Sequence, residues 1–210
     1  MRVNKIFNFK TLTFKKNNDN NPVIARAVDE LGKIKFSQND ILYIKSLGCN
    51  PPFENGAQAV DFIKQNNIKI NFSKFKLQDV HARWSFDDNT IHINEKYKNL
   101  DSFAGILAIS EAIFHETGHA KDKDADNSLQ EELDCMSLNV LGHRFHKNKY
   151  KDIFKGQDSS IFTEGVSLYE KLFFEFDMNK TKLKNRLKEK YGFLKPDSKG
   201  HSSSNFARSI

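Results

Sequence analysis

The amino-acid sequence predicts a single α+β domain, in which a small antiparallel or mixed sheet packs on one long helix and on further helices towards the C-terminus. The first observation behind this prediction is length: the chain has 210 residues, 38% hydrophobic and 29% charged, which is enough for one sizeable core. The second is the alternation of apolar and polar residues between positions 68 and 94, which is typical of strands. The third is a stripe of apolar residues from Phe103 to Phe114, spaced three, four and seven apart as in an amphipathic helix.

The first 54 residues are predicted to form strands and a short helix that pack on the rest of the domain. Apolar residues in the range 1–14 favour one or two strands. A short helix is predicted from Pro22 to Gly32, because proline suits the first helical turn and glycine the position after the last. The pattern of the apolar segment 41–47 does not indicate whether it is a helix or a strand.

The core unit is predicted to span residues 55–177 and to begin with a helix at Asn55. A strand follows over Ile68, Ile70 and Phe72, and a hairpin over residues 80–94 carries two more strands. Its turn is the Asp-Asp-Asn sequence at 87–89, whose side chains favour tight turns. An apolar, aromatic helix over residues 161–176 is expected to close the core.

The long helix, capped by Asp101 or Ser102, carries the segment His115–His119, which reads H-E-x-x-H. Histidines four residues apart on a helix share one face and can hold one metal ion. Glu116 lies at the edge of that face, where it can take a proton without being a ligand. Two imidazoles and one further protein ligand suit zinc, so the sequence predicts a Zn²⁺ site.

The third ligand is predicted on a second helix, from about Ser128 to His146. A short link between two antiparallel helices would bring Glu131 or Glu132 level with His119. Ser128 and Glu131 fit a capping box, which would turn Glu131 back to the helix start. Glu132 flanks an apolar stripe, where a carboxylate needs a partner, and is therefore the favoured ligand, with Glu131 as the alternative.

Other polar residues near the two helices are candidates for supporting roles. Asp122, one turn past His119, and Asp134 are candidates for orienting the metal ligands. Cys135 is an alternative ligand, and Gly118 suggests close approach of another backbone. The fallback ligands and the candidates for stabilising a transition state lie further along the chain: Glu164 and Glu170, and His143, His146 and Tyr169.

With these residues the chain resembles the zincin metallopeptidases whose third ligand is acidic, and from residue 55 to 147 its order of elements is similar to the compact ImmA/IrrE-type peptidases. The resemblance implies a minimal zincin-like fold and zinc-dependent hydrolysis of peptide bonds, with Glu116 as general base. It also implies that the strand Ile91–Asn94 lies along the cleft with a free edge that pairs with an extended peptide. One feature departs from the family: the position four residues before Asp134 is Gln130, where the family has its ligand glutamate.

The net charge of +6 is concentrated at the C-terminus, since residues 171–210 contain ten Lys or Arg and four Asp or Glu. A basic amphipathic helix is predicted within residues 178–195, followed by a disordered tail over 196–210. The helix is a candidate surface for nucleic acid or an acidic partner. Two cysteines form no disulfide framework, and neither a signal peptide nor a membrane span is recognisable, which predicts a cytoplasmic protein.

Two alternative functions remain open from the sequence. The chain could be an interaction module on a zincin fold that no longer cleaves, although the base Glu116 argues against a purely structural site. It could also be a nucleic-acid-associated regulatory protein that acts through the basic C-terminal helix.

Overall fold

The computed structural model describes residues 21–77, 80–100, 102–123, 127–154, 170–175 and 177–192. The α+β class is confirmed in these ranges. The elements are α1 (Pro22–Gly32), α2 (Gln38–Ser46), α3 (Gly56–Gln65), β1 (Lys69–Ser73), β2 (Ala82–Ser85), β3 (Thr90–Asn94), a 3-10 turn (Glu95–Tyr97), α4 (Phe103–Asp122), α5 (Leu129–Lys149), α6 (Lys151–Phe154) and α7 (Lys180–Tyr191). The predicted strands at 1–14, most of the predicted helix at 161–176 and the predicted tail at 196–210 lie outside the described residues.

Local side-chain caps start most of these helices. The Asn21 carboxamide accepts the Val23 N–H at the start of α1, and Pro22 takes the first helical position. Ser102 caps α4 by accepting the Gly105 N–H at 3.2 Å. Ser37 caps α2 in the same way, so the segment that the sequence left unassigned is a helix.

The three strands form a mixed sheet in the order β1-β3-β2, with β1 parallel and β2 antiparallel to β3. β3 is therefore the central strand, and both of its edges are hydrogen-bonded. The expectation that Ile91–Asn94 has a free edge is wrong, because β1 pairs with the side of β3 that the hairpin leaves open. Within the described residues, β2 is the edge strand on the hairpin side of the sheet.

α4 lies at the centre of the domain. The sheet, α1, α3 and α5 all pack against it. Phe114 and Ile113 are fully buried there, and the fully buried Ile91 and Ile93 of β3 belong to the same cluster. Ala27 and Leu31 of α1 lie in this cluster as well and are likewise fully buried, so the first helix is part of the main core.

A second apolar cluster joins α2, α5, α7 and the segment 170–174. Leu183 and Leu187 of α7 are buried in it, which leaves the basic residues of this helix outside. Two of these residues pair with nearby carboxylates, Lys182 with Asp177 and Arg186 with Glu175. The location of the predicted basic helix is thus confirmed, and its proposed partner stays a prediction.

α4 and α5 form an antiparallel pair, with Lys123 in the left-handed region (φ 58°) at the end of α4. They have 20 and 21 residues and are the longest described helices. None of the helices in the described ranges combines the length and apolarity that a bilayer span requires. Because α4 and α5 are antiparallel, residues near the end of α4 face residues near the start of α5.

Candidate metal centre

The pairing of α4 with α5 brings together His115, His119 and Glu132, the favoured ligands of the sequence analysis. The Nε2 atoms of the two histidines are 3.1 Å apart. The Glu132 carboxylate lies 3.6 Å from Nε2 of His115 and 3.4 Å from Nε2 of His119. Each residue offers one ligand atom, and all three atoms lie within 4.8 Å of one another. The side chains of these residues are 8–14% exposed, which leaves the cluster open to solvent on one side.

The separation of the two histidines fits a tetrahedral zinc site. Bonds of about 2.0–2.1 Å at tetrahedral angles place neighbouring ligand atoms roughly 3.3 Å apart, and the two Nε2 atoms are 3.1 Å apart. Glu132 approaches the histidines with different carboxylate oxygens, Oε1 at 3.6 Å from His115 and Oε2 at 3.4 Å from His119, so either oxygen is near the site. Two imidazoles and one carboxylate also form a donor set that zinc prefers and that leaves a fourth position open. The residues present therefore fit the metal that the sequence predicts.

The electrostatics of the cluster favour charge on its members. Burial acts to raise the pKa of Glu132, but contacts with His119 and His115 outweigh burial and lower it. Burial acts to lower the pKa of His119, but its neighbours Cys135, Glu131 and Glu132 raise it well above the usual value. Glu132 is thus held as a carboxylate, which is the form that binds a metal.

Glu131 orients one of the ligands. Its Oε1 lies 2.7 Å from Nδ1 of His119, so the ring presents Nε2 to the cluster. The predicted capping box is half right: Ser128 accepts the Glu131 N–H at 3.1 Å, but the Glu131 side chain turns to His119. Asp122, the residue expected in the orienting role, is exposed at the end of α4. The sequence did not predict this contact of Glu131 with His119, because the capping-box pattern of Ser128 and Glu131 already explains a glutamate at this position.

Glu116 contacts the sheet through one carboxylate oxygen. It is 8% exposed, and its Oε2 accepts the Trp84 N–H of β2 at 2.7 Å. In the antiparallel ladder Trp84 lies opposite Ile91. Because its N–H bonds Glu116, it points away from β3. This contact fixes one carboxylate oxygen of Glu116.

Asp134 does not reach the ligand cluster. It accepts the Asn50 N–H at 2.7 Å and the Gln130 side-chain amide at 2.9 Å. Gln130 also donates to the Gly48 carbonyl at 3.0 Å, so the two residues hold the loop after α2 against α5. Burial raises the pKa of Asp134 to about 6. The geometry gives Asp134 a role in fixing this loop and not in orienting a ligand.

Gly118 allows α5 to approach the motif helix. A Cβ atom at this position would lie 2.7 Å from the sulfur of Cys135 and 3.2 Å from Leu138. A close approach is thus found at this glycine, but the prediction that another backbone makes it is wrong, because the neighbours are side chains of α5. Cys135 is 1% exposed, and burial raises the pKa of its thiol to about 12. The ligand atoms that converge are those of His115, His119 and Glu132, not the Cys135 sulfur.

A second buried polar cluster lies further along the same helix pair. Glu111 contacts His146 at 2.8 Å and His143 at 3.4 Å, and His143 is 3.8 Å from Glu170. Glu170 also pairs with Arg144 and Lys147. His143 and His146 are therefore held inside the helix pair, and Glu170 faces them instead of the metal ligands. Their predicted roles as transition-state stabilisers and fallback ligand are not supported, and Glu164 and Tyr169 lie outside the described residues.

We expect this cluster to make stability depend on pH. Burial acts to lower the pKa of His143, but the Glu111 and Glu170 charges raise it above its usual 6.5. A raised folded-state pKa contributes stability that is present below 6.5 and lost as the pH rises through the raised value. The His143→Gln variant should be less stable than the parent by roughly 1–2 kcal/mol at pH 5, with a smaller difference at pH 8.

Urea unfolding of both proteins across this range measures the difference. The parent and the variant share the same metal-ligand cluster, so its own titration cancels between the two curves. A stability difference that stays constant from low to high pH would show that His143 is not charged in the fold.

No protein-family model, curated protein or solved structure matches this chain. The resemblance to zincin peptidases is therefore still a prediction from the motif and the order of elements.

Proposed function

We propose that this chain is a zinc-dependent peptidase with a zincin-like fold. The single observation that carries the proposal is the convergence of His115, His119 and Glu132, with the buried carboxylate of Glu116 directly after His115 on the same helix. A structural metal site would need the three ligands but not a carboxylate beside them. The combination of ligands and a separate base is what hydrolysis of an amide requires.

The metal-holding residues are His115 and His119 through Nε2, and Glu132 through its carboxylate. Glu131 supports the set by fixing the His119 ring through its 2.7 Å contact with Nδ1. When bound, zinc acts as a Lewis acid and lowers the pKa of water in its open coordination position.

Glu116 acts as the general base and then as the general acid. It accepts a proton from the attacking water and later gives a proton to the leaving amine nitrogen, so that one water is consumed for each bond broken. The Trp84 N–H holds one carboxylate oxygen at 2.7 Å, which limits the motion of the side chain. The other oxygen is the one that carries the proton.

The substrate class is proposed to be a peptide, as the resemblance to zincin peptidases implies. Trp84 directs its N–H away from β3, and this N–H bonds the Glu116 carboxylate. The edge of β2 at Trp84 therefore contacts the proposed base and is not open to pairing with a peptide strand.

The proposal requires one tightly bound zinc ion per chain. Elemental analysis of protein purified without chelator should find one zinc per chain, and the His115→Ala variant should lack it. Bound metal stabilises only the folded state, so removal with a chelator should lower the melting temperature. The stabilisation is about 2.7 kcal/mol when free metal is 100 times the dissociation constant.

The control for this measurement is His81→Ala, which removes a histidine outside the cluster. It should retain full zinc content. A parent protein that holds no zinc as purified, and whose melting temperature does not respond to added zinc, would contradict the proposal. Cleavage of a mixed peptide library by the zinc-loaded chain then tests activity directly.

A further inference from the structure

A cavity of about 470 Å³ lies at the carboxyl ends of the parallel strands β1 and β3. Its walls come from the residues after β1, Lys74 and Phe75, and from the segment Asn94–Asn99 after β3. The carboxyl ends of neighbouring parallel strands are a common place for small-molecule sites. The volume also falls within the range of about 300–1,000 Å³ that such sites have.

The charged groups of this cavity are mainly basic. Lys74, Lys96 and Lys98 line it together with one carboxylate, that of Glu95, which leaves two positive charges. Neither Lys74 nor Lys98 has an ion-pair partner among the described residues. All four side chains lie on exposed residues, so a ligand can reach them from solvent.

The floor and the walls of the cavity are preformed. Phe75 lines the cavity and is 6% exposed, and the guanidinium carbon of Arg83 is 6.0 Å from the centre of its ring. The Asn94 side chain is held at both ends, since it donates to the Val80 carbonyl at 2.9 Å and accepts the Lys96 N–H at 3.1 Å. The backbone at Lys96 is therefore held by Asn94 before any ligand binds, which reduces the entropic cost of binding at this wall of the cavity.

We propose that this cavity binds a small molecule that carries a phosphate dianion. The ammonium groups of Lys74 and Lys98 supply two positive charges, which match a dianion, and ammonium groups bind phosphate through charge and hydrogen bonds. The exposed Asn99 carboxamide adds hydrogen-bond donors at the rim. None of these residues belongs to the metal centre, so the inference is independent of the proposed peptidase function.

Titration calorimetry of the full chain with inorganic pyrophosphate tests the proposal. We expect a dissociation constant of about 1 mM or below for this minimal probe, and a loss of at least tenfold in the Lys74→Gln/Lys98→Gln double variant. The matched control is Lys184→Gln/Lys188→Gln, which removes two lysines from α7. Both variants alter residues at the surface, and thermal unfolding verifies that each remains folded.

Each outcome decides the question. Selective loss of binding in the Lys74/Lys98 variant, with the α7 control unchanged, supports the site. Equal losses in both variants would mean unspecific attraction by surface charge, and absence of binding at about 10 mM pyrophosphate would exclude a useful site. A tricarboxylate, citrate, serves as the second probe: if it binds as tightly as pyrophosphate, the assignment to phosphate is wrong.

Discussion

The Glu116→Gln variant is expected to retain its zinc and its fold while losing peptide hydrolysis. The Trp84 N–H bonds one carboxylate oxygen at 2.7 Å, and the carbonyl oxygen of a glutamine can accept the same hydrogen bond. The other oxygen is replaced by an amide nitrogen, which cannot accept a proton. General-base contributions are typically about 10²–10⁴-fold in rate, so cleavage should fall by at least about 10²-fold.

The experiment compares kcat/KM of the parent and the variant on a peptide selected from a library, with zinc content and melting temperature measured on the same samples. Glu189→Gln, an exposed change on α7, is the control and should keep full activity. A Glu116→Gln variant that keeps its zinc and cleaves as fast as the parent would remove Glu116 from the mechanism.

The second large effect expected is the loss of zinc binding when Glu132 is replaced. The Glu132→Ala variant should lose zinc below the level that competition with a chelator can detect, because it removes one of three protein ligands. Glu131→Gln should weaken zinc binding by about 10–100-fold, which is typical of a change in a residue that orients a ligand. Its glutamine can still accept a hydrogen bond from His119, but without the charge.

Zinc affinity measured by competition separates the two residues. Both glutamates are nearly buried, so urea unfolding of each metal-free variant is needed to exclude loss of the fold as the cause. A larger loss of zinc affinity in the Glu131 variant would show that Glu131 is the third ligand and that Glu132 is the orienting residue. Small and equal losses would show that neither glutamate is the third ligand.

The helices that the sequence predicted are those with local signals. α1 begins at a proline after an asparagine cap, and α4 follows a serine cap with a regular apolar stripe. α2 lacked such a stripe, since Ile44 is its only buried residue and the helix has nine residues. Its position depends on contacts with α5 and α7 in the second cluster, which no local pattern reveals.

The order of the strands was not predictable in the same way. The hairpin of β2 and β3 is encoded by alternation and by a turn of Asp and Asn, which are local signals. The pairing of β1 with β3 joins strands about twenty residues apart, which no local pattern reveals. This pairing decides which strands are edges, so the expectation of a free edge on β3 was wrong.

The candidate metal centre likewise has features that local sequence signals predict and features that they do not. Helical spacing fixed the relation of His115 to His119, and the short link between α4 and α5 brought Glu132 to them. The contact of Trp84 with Glu116 joins residues 32 positions apart, and no pattern in the sequence predicts it. Local geometry thus predicts the ligands, and the tertiary fold determines how they are oriented.

The junction between α1 and α3 sets a limit on how far the chain can be shortened. A Cβ atom at Gly56 would lie 1.7 Å from the Leu31 carbonyl oxygen, and the Gly56 N–H bonds the Ile34 carbonyl at 3.0 Å. The first turn of α3 therefore rests directly on the end of α1. A fragment that begins at residue 55 would expose the apolar side of α4 to water and aggregate. The smallest fragment suitable for expression accordingly begins before Pro22, and not at the start of the predicted catalytic unit.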